Sequence, residues 1–169
     1  MPARTYIQQI NGVNTKVTPL TVGGTPTQAG EIAALDANGR LDPSLMPVGV
    51  VADTITADAF EALSAGDYVY VRTSDNLIAK ASAAAGGNVA IGFVLQAFAA
   101  AASATVLLEG RNTSLTGIVV GTRYYLSDTV AGAVTATAPT ATGTRTQFVG
   151  NGVTSTSVTS TTLSDYTQN

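Results

Sequence analysis

The sequence contains no histidine, no cysteine and no tryptophan. Without histidine, the chain lacks the side chain that most often acts as a general base near neutral pH. Without cysteine, it has no thiol nucleophile, no thiolate ligand for zinc and no means of forming a disulfide. We therefore expect a protein that is not an enzyme, with no catalytic residues, no metal, no cofactor and no small-molecule substrate.

Charged residues are also scarce, at 11% of the chain, and the net charge is −3. Nucleic-acid-binding faces are strongly basic, so we expect no nucleic-acid partner. The most hydrophobic stretch, residues 89–108, is rich in alanine and is interrupted by Gly92, Gln96 and Ser103. We therefore expect no membrane-spanning segment. No apolar run follows Met1, so we also expect no secretory signal.

Five of the six prolines lie within residues 1–49, together with several glycines. Proline fixes φ, withholds a donor and biases the preceding residue towards extended conformations. The pattern predicts an extended N-terminal arm over residues 1–49, with short strand-like pieces. Asn38-Gly39 favours a tight turn. It leads into one predicted helical turn with Asp42 as its cap and Pro43 at its first position.

Residues 50–152 predict an all-β domain, either a small β-barrel or a sandwich. Segments rich in β-branched and aromatic residues recur at roughly ten-residue spacing and are separated by turn residues. The predicted strands are 68–71, 88–95, 104–108 and 123–126. Residues 56–63 favour one short helix with a capping residue at its start, and a loop is the alternative.

A weak internal repeat runs through this domain. Residues 66–71 align with 121–126, and after a turn and an alanine-rich stretch, 91–94 align with 148–151. One interpretation is a duplication of two hairpin-plus-strand halves that close one barrel. The alternative is that any two hairpins look alike in a β protein rich in alanine and threonine.

Residues 153–169 form a third zone composed mostly of serine, threonine and valine. This zone predicts either a final edge strand with a tail or a strand that pairs with another subunit. Strand edges with so little protective charge need to be covered. We therefore expect the β domain to self-associate, most simply as a trimer, through residues 97–102 and the Ser/Thr-rich zone.

Two acidic patterns bear on possible chemistry. Residues 36–42 begin like a calcium-binding loop, but Pro47 stands where that loop requires a glutamate, so we predict no metal site. A second acidic cluster comprises Asp53, Asp58, Glu61 and Asp67. Paired carboxylates can hydrolyse glycosides, so a polysaccharide hydrolase is an alternative, although the chain has no tryptophan to bind a sugar.

The segment GEIAALDANGRLDPSLMP, residues 30–47, resembles a segment that is frequent in structural proteins of tailed bacteriophages. Residues 64–69, 91–94, 104–110 and 121–127 are similar to parts of phage virion β domains. Such modules occur in capsid decoration (cement) proteins and in tail fibres. The chain is short, has its arm at the start and lacks a long repetitive shaft. It is therefore more similar to a capsid decoration protein.

This resemblance implies a homotrimer that binds the major capsid protein on the outer surface of the virion capsid and stabilises the shell by bridging subunits. It also implies synthesis in the host cytoplasm. The alternative is a tail- or head-fibre module for host attachment. We expect the capsid or a neighbouring copy to contact apolar residues of the arm: Leu35, Leu41, Pro43, Leu45, Met46 and Pro47.

Overall fold

The computed structural model describes residues 5–20, 32–35, 40–42, 45, 53–160 and 166–169. The chain divides into two compact units, residues 1–51 and 52–169. Apart from a single 3₁₀ position at Leu45, the regular elements of the described residues are β-strands, and their strand pairs are antiparallel. The predicted all-β fold class is therefore confirmed.

The first unit contains a hairpin of β1 (Tyr6–Ile10) and β2 (Val13–Val17). Its two turn residues, Asn11 and Gly12, have φ values of 51° and 79°. Positive φ at both positions is typical of a type I′ turn, for which Asn-Gly is the favoured dipeptide. The turn predicted from the sequence at residues 38–39 lies outside the described residues, and the turn at Asn11-Gly12 was not predicted.

The second unit contains two open sheets. The strands of the first sheet are β3 (Thr54–Asp58), β4 (Tyr68–Val71), β5 (Ile78–Lys80), β6 (Gly92–Phe93) and β7 (Ser103–Leu107). Those of the second are β8 (Gly110–Asn112), β9 (Arg123–Leu126), β10 (Val134–Thr135), β11 (Arg145–Thr154) and β12 (Ser157–Ser160). A further strand, β13 (Tyr166–Gln168), pairs with the start of β11.

The strand orders, β3-β7-β6-β4-β5 and β8-β12-β11-β9-β10, are the same if each strand is matched to the one five places later. We call residues 53–109 the first repeat and residues 110–160 the second repeat. Equivalent turns also match: Gly66 N donates to Val94 O at 2.7 Å, and Gly121 N donates to Gly152 O at 2.9 Å. The duplication is therefore confirmed. The expected single barrel is wrong, because each repeat forms its own open sheet in the described chain.

The repeats share a close approach of two central strands. Gly92 in β6 corresponds to Gly150 in β11, one residue later than the sequence alignment predicts. A Cβ at Gly92 would collide with Leu107 O and lie 2.7 Å from a Val106 methyl carbon. A Cβ at Gly150 would collide with the carbonyl oxygen of Thr159 in β12 and lie 2.7 Å from a Val158 methyl carbon. Glycine is therefore required at both positions.

Several local predictions are corrected by strand pairing. Residues 56–63 are not a helix: β3 occupies 54–58, because Ile55 and Ala57 alternate with exposed residues and this spacing suits a strand. The strand predicted over 88–95 is limited to β6. Residues 157–160 form β12, which lies between β11 and β8, so this segment is an interior strand and not the edge strand that sequence analysis allowed.

Two clusters of buried side chains form the core of the second unit. The inner cluster belongs to the first repeat alone and contains Ala59, Leu63, Val69, Ile78, Val94, Ala104 and Val106. The intersheet cluster joins first-repeat residues Tyr68, Ala81, Ala83, Ala90 and Phe93 to second-repeat residues Ile118, Tyr124, Leu126, Val149 and Val158. One face of the first sheet thus covers the core of the second repeat, and the arrangement is sandwich-like.

Buried hydrogen bonds also join the two repeats. The Tyr68 hydroxyl lies 2.7 Å from Ser160 Oγ, and burial raises the pKa of Tyr68 above its ordinary value although this hydrogen bond opposes the rise. The amide of Gln147 accepts from Ala90 N and donates to Ala90 O, both at 2.8 Å. These contacts satisfy polar groups that would otherwise be costly to bury, and they fix how the sheets pack.

Candidate interaction surfaces

Two of the three described arm residues that were predicted to contact a partner are exposed. Leu35 is 60% exposed, Leu41 is 37% exposed and Leu45 is half-buried. Leu45 N donates to Asp42 O at 3.0 Å, as one turn of 3₁₀ helix requires. The other three predicted contact residues, Pro43, Met46 and Pro47, lie outside the described residues.

Two backbone hydrogen bonds hold the chain next to Leu35. Leu20 N donates to Ile32 O at 2.9 Å, and Ala34 N donates to Leu20 O at 2.6 Å. These bonds form an isolated parallel bridge between Leu20 and Ala33. Ile32 and Leu35, on either side of the bridge, remain largely open to solvent.

The hairpin of the first unit adds exposed apolar side chains that sequence analysis missed. Ile7 is 72% exposed and Val13 is 64% exposed. The signal was present in the sequence as Asn11-Gly12 between Ile10 and Val13, since Asn-Gly flanked by apolar residues predicts a hairpin. We call the five residues Ile7, Val13, Ile32, Leu35 and Leu41 the exposed apolar set of the first unit.

The second sheet presents a face that points away from the intersheet cluster. Arg123 lies opposite Asn151 in the β9–β11 pairing, and Tyr125 lies opposite Phe148. The Arg123 guanidinium carbon is 4.7 Å from the Phe148 ring centre, and the Tyr125 and Phe148 rings meet edge to face at 6.0 Å. With Arg111 in β8, these residues form what we call the Arg–aromatic face. This face was not predicted from the sequence.

The two segments predicted to contact another copy differ in exposure. Residues 97–102 form a largely exposed loop, held by paired backbone hydrogen bonds of 2.9 Å between Leu63 and Phe98. In contrast, Ser157, Val158 and Ser160 are buried within the second sheet. These three side chains are packed inside the chain, so within residues 153–160 the exposed residues are 153–156 and Thr159; that another copy contacts this zone remains a prediction.

The described residues contain no group of three or more carboxylate, histidine or cysteine side chains placed to hold a metal ion. They include a shallow depression of about 200 Å³ lined in part by Tyr70, Arg72, Ser74 and Asn88. Arg72 is already engaged there, since it pairs with Asp75 at 3.3 Å and its guanidinium lies 3.5 Å from the Phe60 ring centre.

None of the helical residues that the structure describes belongs to a helix long and apolar enough to span a membrane.

Comparisons of the chain with family models, with curated proteins and with solved structures found no match. The surfaces described above and the segment at residues 30–47 are therefore the observations on which a function can be argued.

Proposed function

We propose that this protein is a structural component of a tailed-phage virion, namely a decoration protein that binds the outer surface of the capsid. In this role a homotrimer bridges subunits of the major capsid protein and catalyses no reaction. The proposal is supported by the resemblance of residues 30–47 to phage structural proteins and by the surface of the first unit.

The observation that carries the proposal is the exposed apolar set of the first unit. A two-stranded hairpin is at best marginally stable by itself in water. Ile7 and Val13 on the hairpin, and Leu35 and Leu41 in the segment that resembles phage proteins, are nevertheless open to solvent. A shell subunit that covered these side chains would supply the apolar contacts that the unit lacks.

Binding of this kind stabilises a shell by linkage. A protein that binds the assembled capsid, and not its separated subunits, lowers the free energy of the assembled state by an amount that grows with occupancy. Because three arms of a trimer bind together, weak individual contacts combine into a much stronger attachment.

The test uses capsids that lack the protein, to which purified protein is added before electron microscopy. Wild-type protein should appear as ordered density on the outer surface. The triple variant Leu41→Ala/Leu45→Ala/Met46→Ala should lose most of its occupancy, since a buried leucine anchor contributes roughly 2 kcal/mol or more. Val130→Ala, which shortens an exposed apolar residue of the second unit, is the matched control and should bind normally. Equal occupancy for all three proteins would refute the proposed contact.

The Arg–aromatic face favours a second candidate, a fibre module for host attachment. Arginine and tyrosine are enriched where proteins recognise other molecules, and the exposed Arg123 and the half-buried Tyr125 and Phe148 are grouped on one face of the second sheet. Copy number separates the two roles. A decoration protein covers the shell in many copies, whereas a fibre is present in few copies at defined positions on the particle.

A further inference from the structure

Charge is divided unequally between the two repeats. The first repeat has six carboxylates and two basic groups, a net charge of −4, whereas the second has one carboxylate and three arginines, a net charge of +2. The first repeat therefore carries the acidic surface of the second unit, and the second repeat carries its basic surface. A chain of this kind is complementary in charge to a second copy of itself.

The acidic surface lies along the edge strand β3. The ion pairs Arg72–Asp75 and Lys80–Asp67, at 3.3 and 3.1 Å, engage both basic groups of the first repeat. Exposed carboxylates remain at Asp53, Asp58 and Glu109. Leu108 N donates to Asp53 O at 2.9 Å, which places Glu109 next to one end of β3, while Asp58 is at the other end. We call these three residues the acidic edge.

The basic surface is the Arg–aromatic face. Pairing across four strands places Arg123, Asn151, Thr159 and Arg111 in one row, with an arginine at each end. Neither arginine forms an ion pair with any residue in the described part of the chain. Three strand spacings separate them by about 14 Å, and five residues along a strand separate Asp53 from Asp58 by about 17 Å. The backbone spacings of the two pairs are therefore comparable, and because side chains alternate along a strand, residues five apart lie on opposite faces, so Asp53 and Asp58 flank the edge strand.

We propose that the Arg–aromatic face of one copy binds the acidic edge of a second copy. This inference rests on the self-association included in the proposed function, and it names the surfaces involved. The contact is heterologous, since the two surfaces differ, and repetition around a rotation axis closes a ring such as a trimer. The half-buried Tyr125–Phe148 pair lies beside Arg123 and supplies apolar area next to one end of the row, and the arginines at the two ends align the copies.

The test measures mass by light scattering and sedimentation over a range of protein and salt concentrations. Wild-type protein should associate, and it should dissociate as salt rises because the contact depends on charge. The variants Arg111→Glu/Arg123→Glu and Asp53→Lys/Asp58→Lys should each need at least about tenfold more protein to associate. A chain carrying all four substitutions restores opposite charges and should regain association. Thermal unfolding of each variant confirms that it is folded.

Lys16→Glu/Arg40→Glu is the matched control, because it changes net charge as much as the arginine variant but lies in the first unit. It should associate as the wild type does. Unchanged association of the two charge-reversed variants, or no recovery in the fourfold variant, would overturn the named surfaces while leaving the trimer intact. A wild-type protein that stays a single chain would overturn the inference and the trimer together. Capsid binding is measured separately, so its failure is distinguishable from both.

Discussion

The two repeats of the second unit share a strand order but differ in what they present on the same side of the sheet. In the first repeat, Tyr68 and Phe93 occupy this face and are buried in the intersheet cluster. Their equivalents in the second repeat, Arg123 and Asn151, are exposed. The difference follows from stacking, because the second sheet covers this face of the first, whereas Arg123 and Asn151 point away from the intersheet cluster. Whether equivalent strand positions carry buried apolar residues or exposed polar residues therefore depends on which sheet face is covered, and not on the strand order that the repeats share.

The two cores also differ in which repeat supplies the side chains that complete them. The inner cluster of the first repeat is completed by Phe98, Ile55 and Leu108 from its own strand and loops. The core of the second repeat is completed by Tyr68 and Phe93 of the first sheet. The second repeat therefore depends on the first for its core, whereas the inner cluster of the first is built from its own residues.

The largest expected loss of stability comes from comparing substitutions at Phe93 and Asn151, which occupy equivalent positions in the two repeats. Phe93→Ala removes a fully buried ring and should lower the free energy of unfolding by about 3–5 kcal/mol. Asn151→Ala at the equivalent, exposed position should change it by less than about 0.5 kcal/mol. Urea unfolding followed by circular dichroism measures both. Equal losses would contradict the difference in burial between the two faces.

A smaller effect tests what the repeats share. Gly92→Ala and Gly150→Ala each force a Cβ against the neighbouring strand and should each lower the free energy of unfolding by about 1–3 kcal/mol. Gly86→Ala is the control, because its φ is 75° but nothing lies within 4 Å of a new Cβ, so only backbone strain of about 1 kcal/mol is expected. A loss at Gly92 without one at Gly150 would show that the two repeats do not share this close approach.

The smallest effect concerns the hydrogen bond between the repeats. Tyr68→Phe removes the contact with Ser160 and should lower the free energy of unfolding by about 1 kcal/mol near pH 7. Burial raises the pKa of Tyr68, so the unfolded chain loses this proton first. Wild-type stability should therefore fall above about pH 10, the ordinary tyrosine value. The variant should fall less steeply, and identical slopes in unfolding scans from pH 8 to 11 would contradict this assignment.

Part of the fold was predictable from local sequence. The strands at 68–71 and 123–126 combine aromatic and branched residues with preceding glycines, and the same glycines, Gly66 and Gly121, revealed the duplication. The strand at 54–58 was mistaken for the start of a helix, because its threonine and aspartate also suit a helix cap. Its partner β7 lies far away in the sequence, so local propensity could not reveal the pairing.

The candidate surfaces were predictable to a lesser extent. Leu41 was anticipated as a contact residue because a short turn cannot bury large apolar side chains, and Leu35 was anticipated as an apolar residue of the same arm; both are exposed in the structure. That they contact a partner remains a prediction. The Arg–aromatic face was missed, because sequence does not show which side of the second sheet the first sheet covers. Only the register between strands brings Arg111 and Arg123 into one row.

The order of strands along the chain has a consequence for synthesis on the ribosome. The hairpin β4–β5 closes within a few residues and can form early, whereas β3 must wait for β7 near the end of the first repeat. Tyr68 and Phe93 then remain uncovered until the second repeat has been made. A chain that stops near residue 109 would display these aromatic residues in water. Truncation between the repeats should therefore yield the most aggregation-prone form of this protein.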